Sequence, residues 1–284
     1  MAKRELDGRR KYYMILDCET ATLPYARGIA DPVKKQAVAI AKPLIYDLGW
    51  TIVDRTGKVY KKQSFLITEV FSVPSVFNTA YYAEKRPLYL DMLQKELIQL
   101  CDWKTATKAL EHDLSLVEAV GAYNAMFDFK KAIPFTELYI QKLYSPDFNN
   151  WEKFQNHCCD EIASGRRRES NKVFEHETFS FRGKSYPLFD VWGMSCQHVL
   201  NCEEYKQMCR ENGWQTTSGK YYKTSAETAY RFAVGNSDFI EAHTALNDAE
   251  IESFLFGLAV TANKKKLDIG ITCFPFRILG RADI

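Results

Sequence analysis

The chain has 284 residues, with 38 Lys and Arg against 36 Asp and Glu, and it is 46% hydrophobic and 14% aromatic. Such a length admits one or two domains and a core that needs no covalent staples. The composition excludes disorder, and a net charge of +2 excludes a histone-like polycation or an acidic tail protein, while a local basic patch remains compatible with nucleic-acid binding.

No apolar run reaches the roughly 18 residues of a spanning helix, and Met1–Asp7 carries no apolar segment of signal-peptide type. The expectation is a soluble cytoplasmic protein with no membrane partner. Eight cysteines occur, with no C-x-x-C pair and with Cys18 inside an apolar run. They read as reduced thiols, in preference to a disulfide set or a zinc site drawn from His157, Cys158, Cys159, His198, Cys202 and Cys209.

In chain order, a basic arm over Met1–Lys11 precedes a buried-strand pattern at Lys11–Cys18. Pro43–Asp54 and Lys58–Ile67 read as two further strands, joined into an antiparallel hairpin by Arg55-Thr56-Gly57. Helical periodicity follows over Leu88–Cys101 and Thr105–Ala119, then a short strand at Ala119–Tyr123. A helix is expected over Phe127–Leu143, with a break near Pro134. Tyr144–Lys184 is a polar excursion of helix and loop, holding Arg166-Arg167-Arg168. Tyr186–Val191 reads as a strand, with helical segments to about Arg210 and a loop or hairpin over Gly213–Lys223. Ser225 is placed to cap a helix that Gly235 ends, and Glu241–Val260 reads as a long amphipathic final helix. Three strands followed by alternating helix and strand predict an α/β fold with a mixed central sheet.

Three acidic constellations stand out. Asp17 and Glu19 close the first strand at i and i+2, so they share a face; a divalent cation between them would explain the pair, but the D-x-E string recurs at Asp248-Ala249-Glu250, and taken alone it reads first as a strand end with solvated acids. Asn124 and Asp128 follow the Ala119–Tyr123 strand; a helix cap with an acid in its first turn explains them equally well. His243 precedes Asp248 by five positions, which in continuous helix would turn them about 140° apart. Both serve one site only if His243 lies in or before an irregular first turn; a helix-start His and a solvated Asp explain the segment equally well in isolation.

In this order, I-L-D-C-E-T, Y-N-A-M-F-D and H-T-A-L-N-D-A resemble the three motifs of the DnaQ-like 3′–5′ exonucleases, histidine subtype (the DEDDh family), over about Lys11–Val260. That resemblance implies a ribonuclease H-like mixed sheet, its first three strands antiparallel and the rest parallel, flanked by helices. It implies one exonuclease domain over 1–284, lengthened by insertions at about 70–105 and 144–184. It also implies two Mg²⁺ or Mn²⁺ ions held by Asp17, Glu19, Asp128 and Asp248. Asp17 would bridge the ions, Glu19 and Asp248 would complete the site of the attacking water, and Asp128 would support the second ion. His243 would be the general base, a role that suits an imidazole near neutral pH.

The family receives the terminal nucleotide just after the Asp-x-Glu pair, which places Thr20, Ala21 and Leu23 there. Asn124 and Phe127 would contact the same nucleotide or pack, with packing preferred for Phe127. The implied partner is the 3′ end of single-stranded DNA or RNA; the motifs do not separate the two. A ribonuclease trimming short RNA ends and an inactive nucleic-acid-binding module on the same fold are the alternatives. A proofreading role would require a separate polymerase. Arg166–Arg168, Lys264–Lys266 and the N-terminal basic residues are candidate phosphate contacts, and Tyr144, Phe148, Trp151 and Phe154 candidate stacking or packing aromatics.

Overall fold

The computed structural model describes residues 6–7, 9–22, 43–144, 173–174 and 177–282. Leu23, Arg166–Arg168, Phe148, Trp151, Phe154 and the His157–Cys159 group lie outside them. The strands are β1 (Tyr13–Ala21), β2 (Leu44–Val53), β3 (Val59–Ile67), β4 (Gln99–Cys101), β5 (Ala119–Ala122), β6 (Val173–Phe174), β7 (Thr178–Phe181), β8 (Lys184–Asp190) and β9 (Ile271–Thr272). Seven of them form one sheet in the order β4-β3-β2-β1-β5-β8-β7. β1, β2 and β3 are antiparallel, and β5 and β8 then add in parallel, which is the ribonuclease H-like mixed arrangement.

The helices are α1 (Thr68–Phe71), α2 (Pro74–Phe77), α3 (Arg86–Gln94), α4 (Trp103–Leu114), α5 (Ala125–Phe127), α6 (Ile133–Leu143), α7 (Val191–His198), α8 (Glu203–Asn212), α9 (Ala226–Val234) and α10 (Ala245–Ala262). None of the described helices is long and apolar enough to cross a membrane.

The sheet separates two apolar cores, and strand alternation decides which residues enter each. Met14, Leu16 and Cys18 face one core, with α4 and α6 residues such as Leu110 and Ile140. Tyr13 and Ile15 face the other, with Leu255 and Phe256 of α10 and Met194 of α7. By the same alternation Asp17 and Glu19 fall on the α10 side.

Local signals act where the residue types predict. Asp54-Arg55-Thr56-Gly57 turns β2 into β3, with Gly57 at φ +76° and its N–H bonded to the Asp54 carbonyl at 3.0 Å. Ser225 caps α9 by accepting from the Thr228 N–H, and Gly235 ends that helix in the left-handed region.

Several expectations are corrected. The helix predicted to reach Cys101 stops at Gln94: Glu96 turns left-handed (φ +54°), and the Leu97 N–H returns to the Met92 carbonyl at 2.9 Å. After a bend at Leu97 and Ile98, with Leu97 60% exposed, Gln99–Cys101 forms β4, an edge strand parallel to β3. The last part of the polar excursion is not helix or loop but β7, which forms a hairpin with β8 through Arg182-Gly183. The segment after β5 is helical from Ala125, with a π turn over Asp128–Ala132 just before Pro134. Proline donates no N–H, so the ladder is already open at that point. The final helix begins at Ala245, not Glu241, and it is buried on most sides rather than amphipathic, because it lies across β1 and β2 with α7 and α9 packed beside it.

Candidate metal centre

The site assembles at the C-terminal end of β1. The β1–β2 register shifts between Glu19 and Thr20, so a bulge follows the two acids and ends their regular alternation. Across the ladder Gly49 faces Asp17, and Asp47 faces Glu19. Gly49 has no side chain for a structural reason: a Cβ there would stand 2.3 Å from the Leu246 nitrogen. Its absence lets the first turn of α10 rest directly on β2, which brings Asp248, in that first turn, over the end of β1.

His243 lies outside the helix with φ +51°, an uncommon conformation for a non-glycine residue. This irregular entry meets the condition set by the five-residue spacing. The His243 Nδ1 lies 3.4 Å from Glu241 Oε2 and 3.9 Å from Asp248 Oδ2. Ligand atoms of Glu19, His243 and Asp248 all fall within 4.8 Å of one another, the one such group among the described residues. Asp17 and Asp128 are not in that trio. Asp128 opens the π turn after β5 and accepts from the Cys18 thiol at 2.9 Å.

Electrostatics link all four acids. Asp17 is half-buried by surface yet crowded by protein atoms, and its carboxyl is pushed well above the usual range. Desolvation is the largest cause, followed by the charges of Glu252, Asp128, Asp248 and Glu19. Glu19 rises to about 8, through burial and then Asp47. Asp248 rises to about 9, through burial and then Glu241 and Glu19. Asp128 rises to about 7 by burial, although the Cys18 thiol opposes the shift. Burial, then Lys85, pushes the imidazole of His243 down, which favours the neutral form that can accept a proton.

Three acids of this cluster were not among the predicted residues. Asp47, fully buried, accepts from the Tyr89 hydroxyl at 3.0 Å and the Ala245 N–H at 2.9 Å. Glu252 accepts from the Tyr123 N–H at 3.0 Å, and Glu241 stands beside His243. Signals for them existed: Asp47 interrupts an apolar strand, and Glu252 follows Asp248 by one helical turn. Lys85 is the cation whose charge bears on Glu19, Glu241 and Asp248 together.

The donor set suits hard divalent cations. It is dominated by carboxylate oxygens, with one imidazole. The buried Asp248 Oδ1 and Asp47 Oδ1 have no hydrogen-bond partner, and orphaned anionic oxygens are costly unless a cation completes them.

The predicted nucleotide contacts divide. Thr20 is half-buried, whereas the Ala21 side chain is fully buried, so only its backbone can meet a ligand. The Thr22 peptide beyond them is held on both sides by the Thr79 hydroxyl, at 2.8 Å each. Asn124 is exposed and makes no side-chain cap, against the capping expectation, because its φ of −158° and ψ of 63° depart from cap geometry. Phe127 packs against the first core. Lys265 and Lys266 line a groove with Tyr13 and Arg55, at the opposite end of β1 from the acids. Tyr144 is exposed, its hydroxyl 3.5 Å from Glu69. His198 pairs with Asp268 at 2.7 Å, and Cys202 and Cys209 are free thiols.

No protein-family model matches this chain, and no curated protein matches it.

Proposed function

We propose that this protein is a metal-dependent 3′–5′ exonuclease of the DnaQ-like histidine subtype, hydrolysing phosphodiester bonds at the 3′ end of single-stranded DNA or RNA. The reading rests on one observation: Glu19, His243 and Asp248 group within 4.8 Å, with Asp17 and Asp128 inside the same acidic field. Asp17, Glu19, Asp128 and Asp248 would hold two Mg²⁺ or Mn²⁺ ions. When bound, such ions supply an activated water and charge stabilisation at the attacking and leaving oxygens. His243 accepts the proton of the attacking water. Its Nδ1 faces Glu241 at 3.4 Å and Asp248 at 3.9 Å, so carboxylates at the proposed centre also bear on the orientation of the imidazole. The backbone at Thr20–Ala21 receives the terminal 3′ hydroxyl. The free thiols among the described cysteines favour a reducing, cytoplasmic setting.

The test is incubation of 5′-labelled single-stranded DNA and RNA with Mg²⁺ or Mn²⁺, beside Asp17→Ala. Stepwise shortening from the 3′ end, lost in the variant, is expected, and the two substrates decide between DNA and RNA. A ladder that persists in Asp17→Ala, or no shortening with either metal, refutes the assignment.

A further inference from the structure

The excursion between β3 and β4 carries no motif residue, yet it reaches the site. Tyr82 precedes a single 3-10 turn, Ala83–Lys85, and its ring stacks on the His243 imidazole with centroids 4.4 Å apart and planes 15° from parallel. Lys85 Nζ lies 4.5 Å from the centre of the Tyr82 ring and donates to the Ala242 carbonyl at 2.6 Å. One peptide group on the excursion side of His243 is thus tied down, and one face of its ring is covered.

His243 needs such support. It adopts φ +51° in an irregular stretch before α10, a conformation that an L side chain holds only where its surroundings over-determine it. The preceding Ile240 is 78% exposed, so the loop takes little anchorage from that side chain. The Tyr82 ring stacks on His243, Lys85 sits over that Tyr82 ring, and the Lys85 hydrogen bond holds the carbonyl next to His243, so two neighbouring side chains converge on one residue.

We propose that Tyr82 and Lys85 are positioning residues for His243, so that the β3–β4 excursion builds part of the reactive centre. The role rests on the exonuclease reading above, in which His243 is the base. In this role neither residue takes part in the proton transfer; they hold the imidazole where it would meet the water. A misplacement near 1 Å costs on the order of 10²-fold in rate, so losing the stacked ring is expected to lower kcat by about ten- to a hundredfold.

The test compares Tyr82→Leu and Tyr82→Phe in the full chain. Nuclease kcat and KM are measured with Mn²⁺, alongside Mn²⁺ affinity by calorimetry and the ring-proton NMR signals of the five histidines, with His243 assigned by its loss in His243→Gln. In Tyr82→Leu, kcat falls while KM and Mn²⁺ affinity change less than threefold, and the His243 signal leaves its ring-shielded position. Tyr82→Phe, which keeps the ring, recovers most of kcat and the shielded signal; Lys85→Met displaces the signal as well. An unmoved His243 signal with unchanged kcat in Tyr82→Leu overturns the proposal, and so does an equal loss of Mn²⁺ affinity and rate, which marks a merely structural role. Should the wild-type chain degrade no nucleic acid, the exonuclease reading fails, and the NMR comparison still decides whether Tyr82 and Lys85 position His243.

Discussion

Replacing Gly49 with alanine adds one methyl group at the point where α10 meets the sheet. That Cβ would lie 2.3 Å from the Leu246 nitrogen, 2.5 Å from the Ala245 carbonyl carbon and 2.7 Å from the Leu246 Cα. All three are backbone atoms, so no flexible side chain can yield. Ordinary contact begins at 3.4 Å, and restoring it requires the first turn of α10 to move by about 1 Å. Overpacking of this kind costs about 1–3 kcal/mol. The larger effect falls on the site, because His243 lies two residues before that turn and Asp248 belongs to it. With about 10²-fold lost per ångström of misplacement, the proposed nuclease rate should fall by that order.

Gly57→Ala is the control. Its Cβ would meet the Ser253 carbonyl at 2.3 Å, and its φ of +76° adds backbone strain, so stability should fall at least as far. Ser253 lies beyond Asp248 along α10, more than one turn from it, so the rate of the fraction still folded should suffer less. Chemical unfolding curves and single-turnover rates at matched folded fraction separate the two effects. If Gly49→Ala keeps wild-type stability and rate, the first turn of α10 is not seated on β2, and the positional account of Asp248 fails.

Two further outcomes follow from the crowded carboxyls. Folding raises Glu19 to about 8 and Asp248 to about 9, so the folded state binds more protons than the unfolded state over the range between. Their contribution to the stability of the metal-free protein is therefore fully present below the ordinary carboxylate range and is lost as the pH rises toward 8 to 9, so the melting temperature should fall over the neutral-to-alkaline range, with Mn²⁺ protecting most at the upper end; a profile flat over that range would contradict the buried cluster. In the unfolded chain Asp248 is ionised at pH 8, whereas folding raises its carboxyl to about 9 and holds it largely protonated; Asp248→Asn removes the cost of that difference, so the metal-free melting temperature should rise at pH 8 while the Mn²⁺-dependent increase and the proposed nuclease activity are lost. A fall in metal-free stability would mean that the Asp248 charge is compensated within the protein.

Much of the fold was legible because its signals are local. The apolar run into β1, the glycine turn between β2 and β3 and the Ser225 cap each depend on a few adjacent residues. The misreadings share a different cause. Leu97 to Cys101 continues a helical spacing, but a left-handed Glu96 ends the helix and an available edge on β3 takes Gln99–Cys101 as strand. Glu241 to Thr244 also reads as helix, yet Asp47, distant in sequence, takes the Ala245 N–H and the chain enters α10 one turn later. In the site, the motif residues could be listed from their order alone. Asp47 and Glu252 left only weak local signals and Tyr82 left none, because their importance comes from partners on other elements: Ala245, Tyr123 and His243.

Those partners also explain how a cluster of like charges survives folding. Each scaffold donor satisfies a single carboxylate oxygen: Tyr89 and Ala245 on Asp47 Oδ2, Tyr123 on Glu252 Oε2, Cys18 on Asp128 Oδ1. Other oxygens remain without protein partners, Asp47 Oδ1 and Asp248 Oδ1 among them. Full satisfaction would make the acids inert supports, and none would leave the strand end unable to fold with them buried. Half-satisfaction fixes their direction while keeping part of the electrostatic cost in the metal-free state. A divalent cation that removes this cost would gain it as affinity, and the protein would gain the same free energy as stability. The acidity that weakens the fold without metal and the capacity to hold metal would then be one property, set by how many donors the scaffold leaves out.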